Sequence, residues 1–121
     1  MKKIFLLLIL MAAVQSGFGQ NIQDLIKKGD QFYDNKDYKS AIGSYMDAQK
    51  INPDDASLLF KLGLSYLYSD TKSKAAQYID KAYRLNPNID TRIDYHLGVA
   101  FQNTNEFKKA IQHFAKRYST F

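Results

Sequence analysis

Cysteine is absent from this sequence. That excludes a disulfide framework, a thiolate metal site and a lipid-modified N-terminal cysteine. Tryptophan is absent too, and proline occurs only at Pro53 and Pro87. With so few chain breakers and no Gly/Pro/Ser-rich stretch there is no linker, and a single domain is predicted. The only histidines are His96 and His113. They fall on separate predicted helices with no acidic pair at ligand spacing, so neither a metal centre nor acid–base catalysis is expected. His96 is expected beside a helix crossing, and His113 facing solvent. The carboxylates Asp34/Asp37 and Asp54/Asp55 fall where turns and helix caps are predicted and are read as such. Charge of one sign never accumulates: 17 basic and 12 acidic residues are interleaved, for a formal net charge of +5. A nucleic-acid partner is not expected. Lys108-Lys109 and Lys116-Arg117 read as the solvated face of the last helix. No catalytic residue, cofactor or metal is expected.

A long apolar run is also missing. The one continuous run, Ile4–Val14, has eleven residues. It rises only about 16 Å as a helix, against a hydrocarbon core of about 30 Å. It follows Lys2 and Lys3 and precedes the small residues Ser16, Gly17 and Gly19. That order predicts a secretory signal peptide over residues 1–19 and an exported protein with no transmembrane span.

Helical periodicity fills the remainder, 20–121. Ile22, Leu25, Ile26, Gly29, Phe32 and Tyr33 mark the first helix, and Tyr38, Ala41, Ile42, Tyr45, Ala48 and Ile51 the second. Pro53 ends the second helix, and Asp54 or Asp55 is placed to cap a third bearing Leu58, Leu59, Leu62, Tyr66 and Leu67. A turn at Ser69–Thr71 leads into a fourth helix over Ser73–Leu85, closed by Pro87. Asp90 or Thr91 is placed to cap a fifth with Ile93, Leu97, Ala100 and Phe101. The sixth carries Phe107, Ala110, Ile111, Phe114 and Tyr118. Seventeen Tyr and Phe residues, all but two beyond the leader, supply much of the apolar surface.

These helices repeat. A shift of 34 residues carries Gly29 onto Gly63 and Ala41/Tyr45/Ala48/Asn52-Pro53 onto Ala75/Ile79/Ala82/Asn86-Pro87. A further 35 residues reach Gly98, Ala110 and Phe114. Glycine in one helix and alanine in the next let two backbones approach to about 8–9 Å.

The pattern resembles the tetratricopeptide repeat, with units at 22–55, 56–89 and 91–121. The family's Leu-Gly step is matched at Leu62-Gly63 and Leu97-Gly98, and its following aromatic at Phe32, Tyr66 and Phe101. Leu25 and Leu59 stand in the place of the family's tryptophan, and Arg117 replaces the second alanine of the third unit. The resemblance implies an all-α fold, a right-handed superhelical stack of about three helix–turn–helix units. It also implies a non-catalytic module that binds a protein through the concave surface lined by the first helix of each pair. The matching groove positions are Gln23, Ile26, Asp30, Tyr33 and Asp34, then Ser57, Phe60, Leu64, Leu67 and Tyr68, then Arg92, Tyr95, Val99, Gln102 and Asn103. Ile26 and Asp30 occupy places where carboxylate-clamp members carry Lys and Asn, so such a clamp is not expected. Packing of Phe60, Leu64, Leu67 and Tyr68 against a neighbouring helix or domain is the competing reading.

No polar helix follows the sixth, so Ile111, Phe114, Tyr118 and Phe121 are expected to leave apolar surface in water, where end repeats of a solenoid normally carry a cap. The stretch Asp80–Gly98 with the exported start looks like the repeat segment at the front of OmpA-like envelope proteins. Neither the propeller nor the peptidoglycan-binding domain of those proteins is present, and peptidoglycan binding is not carried over. A protein partner in the periplasm or at the outer membrane of a Gram-negative bacterium is expected. The alternative is a structural fragment that self-associates as a homodimer through its last helix.

Overall fold

Six helices follow one another with no strand among the described residues, 21–119 of the computed structural model. The predicted signal peptide over 1–19 and Phe121 lie outside them. Helix α1 covers 21–34, α2 Tyr38–Ile51, α3 Ala56–Tyr68, α4 Ala75–Leu85, α5 Ile93–Asn103 and α6 Phe107–Tyr118. Each packs on its sequence neighbours, most extensively α3 on α4 and α5 on α6, in a superhelical stack of three helical hairpins.

Local chemistry fixes most of the boundaries. Asp37 caps α2 by accepting from the Ser40 amide at 3.2 Å. Of the two candidates before α3, Asp55 is the cap: its carboxylate accepts from the Leu58 amide at 3.1 Å. Such a bond satisfies one of the four amides that a helix start leaves unpaired. Asn52 and Asn86 close α2 and α4 through amide bonds to the carbonyls of Ala48 and Ala82, and the following proline has no amide to continue the ladder.

Two expectations fail. Helix α4 starts at Ala75, after a 3₁₀ turn over Lys72–Lys74, rather than at Ser73. The Lys72 ammonium donates to the Leu67 and Ser69 carbonyls at 3.0 and 2.9 Å, which ties the turn to the end of α3. Neither Asp90 nor Thr91 caps α5. The Asp90 carboxylate accepts from the Arg92 amide at 2.7 Å, two residues on, which makes a side-chain turn ahead of the helix.

The small residues sit where backbones meet. Ala41, Ala48, Ala75, Ala82 and Ala110 are all at most 2% exposed. A methyl group added at Gly29 would overlap the Tyr45 ring, at Gly63 the Ile79 side chain, and at Gly98 the Phe114 ring. One contact therefore recurs in all three units, glycine of the first helix against the large residue of the second. Leu59, Leu62, Ile79 and Leu97 fill the spaces between, each fully buried. Pro53 and Pro87 are exposed and act on the backbone alone.

Candidate functional site

The first helices bring part of the predicted groove together. Asp30, Tyr33 and Asp34 of α1, Tyr45 of α2 and Lys61 and Leu64 of α3 line a recess of about 310 Å³. Lys61 bridges both Asp30 oxygens at 2.8 and 2.9 Å, and the Tyr45 hydroxyl donates to Asp30 as well. The ion pair is about two-fifths exposed and adds little stability by itself. Its effect is to hold one carboxylate in place between two units. Tyr33, Tyr38 and Tyr68 close one side, with ring centroids 5.4–6.5 Å apart. Burial, then the neighbouring Tyr68 and Tyr38, push the Tyr33 hydroxyl up to about 12. Burial and the Asp30 bond raise Tyr45 further. Both hydroxyls therefore stay protonated as donors at neutral pH.

Other groove positions differ in access. Gln23, Asp34, Ser57, Arg92, Gln102 and Asn103 are exposed, as are Tyr68 at 47% and Tyr95 at 45%. Ile26, Leu64 and Val99 are half-buried. Phe60 and Leu67 belong to the core, at 8% and 5% exposure, so they form the floor and offer a ligand almost no surface.

A second recess, about 620 Å³, opens between the α4–α5 linker and α6, beside Tyr83, Asn88, Asp94, Lys116 and Arg117. It contains the largest departure from expectation. His113 does not point to solvent. Its Nδ1 lies 2.8 Å from the Asp94 carboxylate, with the ring stacked on Phe101 and edge-on to Tyr83. Asp94 stands where units one and two carry Leu25 and Leu59. In the third unit alone a polar, paired residue thus stands at this leucine position. The basic residues of α6 are also not simply solvated. Lys116 donates to the Tyr83 hydroxyl, and that bond raises its pKa. Lys109 pairs with Glu106 at 2.8 Å. Half-buried Arg117 reaches the Thr91 carbonyl and lies over the Tyr95 ring.

His96 is buried, 5% exposed, and neither ring nitrogen has a hydrogen-bond partner. It meets Phe60 and Tyr95 edge-on. Burial, reinforced by Arg92 and Arg117, holds its pKa below the usual value and keeps it neutral. It serves as packing. On α6, Ile111 is 65% and Tyr118 71% exposed, as expected, while Phe114 is half-buried against Gly98 and Tyr95.

Lys61 and Asp94 are not singled out by sequence reasoning, which places Tyr38 only on the second-helix stripe and His113 in solvent. The lone break in the Leu25/Leu59 series marks Asp94. Nothing local marks Lys61, whose partner lies 31 residues away.

A TPR repeat family model matches residues 29–68, and a tetratricopeptide repeat model matches residues 56–89. The chain carries tetratricopeptide repeats. Such repeats are in general non-catalytic modules for protein–protein interaction. The peroxisomal targeting signal receptor of Candida albicans is 35% identical over 85 residues, covering 70% of this chain. That of Saccharomyces cerevisiae is 32% identical over 79 residues, covering 65%. The chain spans only 14% and 13% of their lengths. Among solved structures, MamA of Desulfovibrio magneticus RS-1 superposes with a TM-score of 0.71 at 26% identity, over 81% of this chain and 55% of that one. The second TPR of Spaghetti (RPAP3), solved with an HSP90 peptide, superposes at 0.73 over 88% of this chain and 96% of that one. Its identity is 19%, so it supports the fold alone. No described helix is long and apolar enough to cross a membrane.

Proposed function

We propose that this chain is a non-catalytic adaptor of the bacterial cell envelope that holds an extended segment of a partner protein in its concave groove. One observation carries the reading. Positions from two successive first helices, Asp30, Tyr33, Asp34 and Leu64, share a single recess with a fixed carboxylate, the protonated Tyr33 hydroxyl as a donor and the apolar Leu64 side chain. Groups of that kind suit a peptide, which offers amides, carbonyls and alternating side chains. The partial likeness to receptors for a targeting signal agrees with it. Export to the periplasm or outer membrane rests on the composition of residues 1–19, and kinship with OmpA-like envelope proteins on Asp80–Gly98.

The test is partner recovery from detergent-solubilised envelopes. Wild-type chain should recover one defined protein. Tyr68→Asp with Gln102→Arg, two exposed groove changes, should lose it at least tenfold, while Ile111→Asp on α6 keeps it. Undiminished recovery by the groove variant would overturn the reading.

A further inference from the structure

Within the chain, each unit rests on the next through a few side-chain pairs, which differ between the two junctions. Unit one meets unit two through Asp30 with Lys61, Tyr33 with Tyr68, and Met46 with Tyr66. Unit two meets unit three through Phe60 with His96, and Tyr83 with His113 and Lys116. The repeat register says where those positions fall one step beyond unit three. On the outgoing side they reach Val99, Gln102, Ala115, Tyr95 and Tyr118. On the incoming side they reach the unit-one equivalents Lys27, Phe32, Asp34, Ser44 and Asp47.

Both sets lie at the two ends of the described stack. Tyr95 is 45%, Ile111 65% and Tyr118 71% exposed, whereas their unit-two equivalents Phe60 and Ala76 are 8% and 6% exposed and Tyr83 is half-buried. At the other end Leu25, Ile26 and Phe32 are half-buried, while Leu59, Phe60 and Tyr66 in the same register are 0%, 8% and 6% exposed. Among the described residues, neither end receives the cover that interior units do. The charges choose between ways of covering them. Helix α6 carries Lys108, Lys109, Lys116 and Arg117 and no acid, so two α6 faces brought together repel. Helix α1 carries three acids, Asp24, Asp30 and Asp34, against two bases, Lys27 and Lys28, so it does not share the one-signed charge of α6.

We propose that a second copy of this chain seats its first unit on the α6 end of the first, continuing the stack head to tail. Tyr95 then lies over Lys27 of the next copy, a cation–π contact. The Tyr118 hydroxyl donates to its Asp47, Gln102 donates to its Asp34, and its Phe32 rests on Ala115. A head-to-tail contact does not close on itself, so the assembly is open-ended. This inference does not depend on the groove reading.

Sedimentation velocity of the purified chain, from about 10 µM to about 1 mM, tests it. The mass should rise with concentration and pass that of a dimer. A tail-blocked chain, Ile111→Asp with Tyr118→Asp, should be monomeric. So should a head-blocked chain, Lys27→Glu with Asp47→Lys. An equimolar mixture of the two should form a one-to-one dimer and stop there. All four changes are at exposed positions, and an unaltered circular dichroism spectrum separates lost association from lost fold. A wild-type monomer at the highest concentration, an assembly that stops at two, or a mixture that stays monomeric would each overturn the proposal.

Discussion

Gly63 and Gly43 are both helical glycines, yet they should respond to a methyl group in opposite ways. At Gly63 the added carbon overlaps Ile79 and comes within 3.1 Å of its backbone nitrogen, which cannot rotate away. Gly63→Ala should lose about 1–3 kcal/mol, the usual cost of overpacking. At Gly43 nothing lies within 4 Å, so Gly43→Ala should gain about 1 kcal/mol from helix propensity alone. Urea unfolding of the two variants checks both signs. His96 gives a pH signature. Its folded-state pKa lies below its ordinary 6.5, pushed down by burial first and then by Arg92, with Asp90 opposing and Arg117 adding least. The unfolded chain therefore takes up the proton first as pH falls. Stability is complete above about pH 6.5 and declines below it, since the unfolded state then binds more protons. His96→Phe should flatten that part of the profile, measured as urea midpoints between about pH 8 and about pH 5.

At the scale of the element, the helices were legible because their information is local. Apolar residues recur at three and four positions, Asp37 and Asp55 stand one step before a helix, and Pro53 and Pro87 stand just past one. Asp55→Ala should cost about 1 kcal/mol through its lost cap, read as a lower melting midpoint. The start of α4 was misplaced because it is set by Lys72 reaching back to the carbonyls of α3. The orientation of His113 was misread for a similar reason: its partner Asp94 comes from a different helix, 19 residues earlier. A helix-face argument sees only the stripe on α6, and His113 lies off that stripe. The pair makes a prediction of its own. Asp94→Ala leaves His113 without its partner and should cost about 1–3 kcal/mol. Asp94→Leu restores the residue of the first two units and should cost less, the difference appearing in parallel thermal melts.

At the scale of the whole molecule, the repeat builds two kinds of surface from one set of contacts. Its small residues draw the helices close, and α1 and α3 share a recess on the side where the groove is predicted. Gln23, Asp34, Tyr68, Tyr95 and Gln102 remain exposed there, while Phe60 and Leu67 sink into the core. Which groove positions stay open was not legible from register alone, because burial depends on the neighbouring unit: His96 covers Phe60, whereas nothing described covers Tyr95 in that way. The most direct test of groove binding is site-specific photocrosslinking in living cells. A photoreactive residue at Tyr68, in the groove, is compared with one at Lys50, on α2, whose side chain is 76% exposed. A discrete adduct with one partner protein from Tyr68 and none from Lys50 is the predicted result. Adducts from Lys50 with none from Tyr68 would contradict the account.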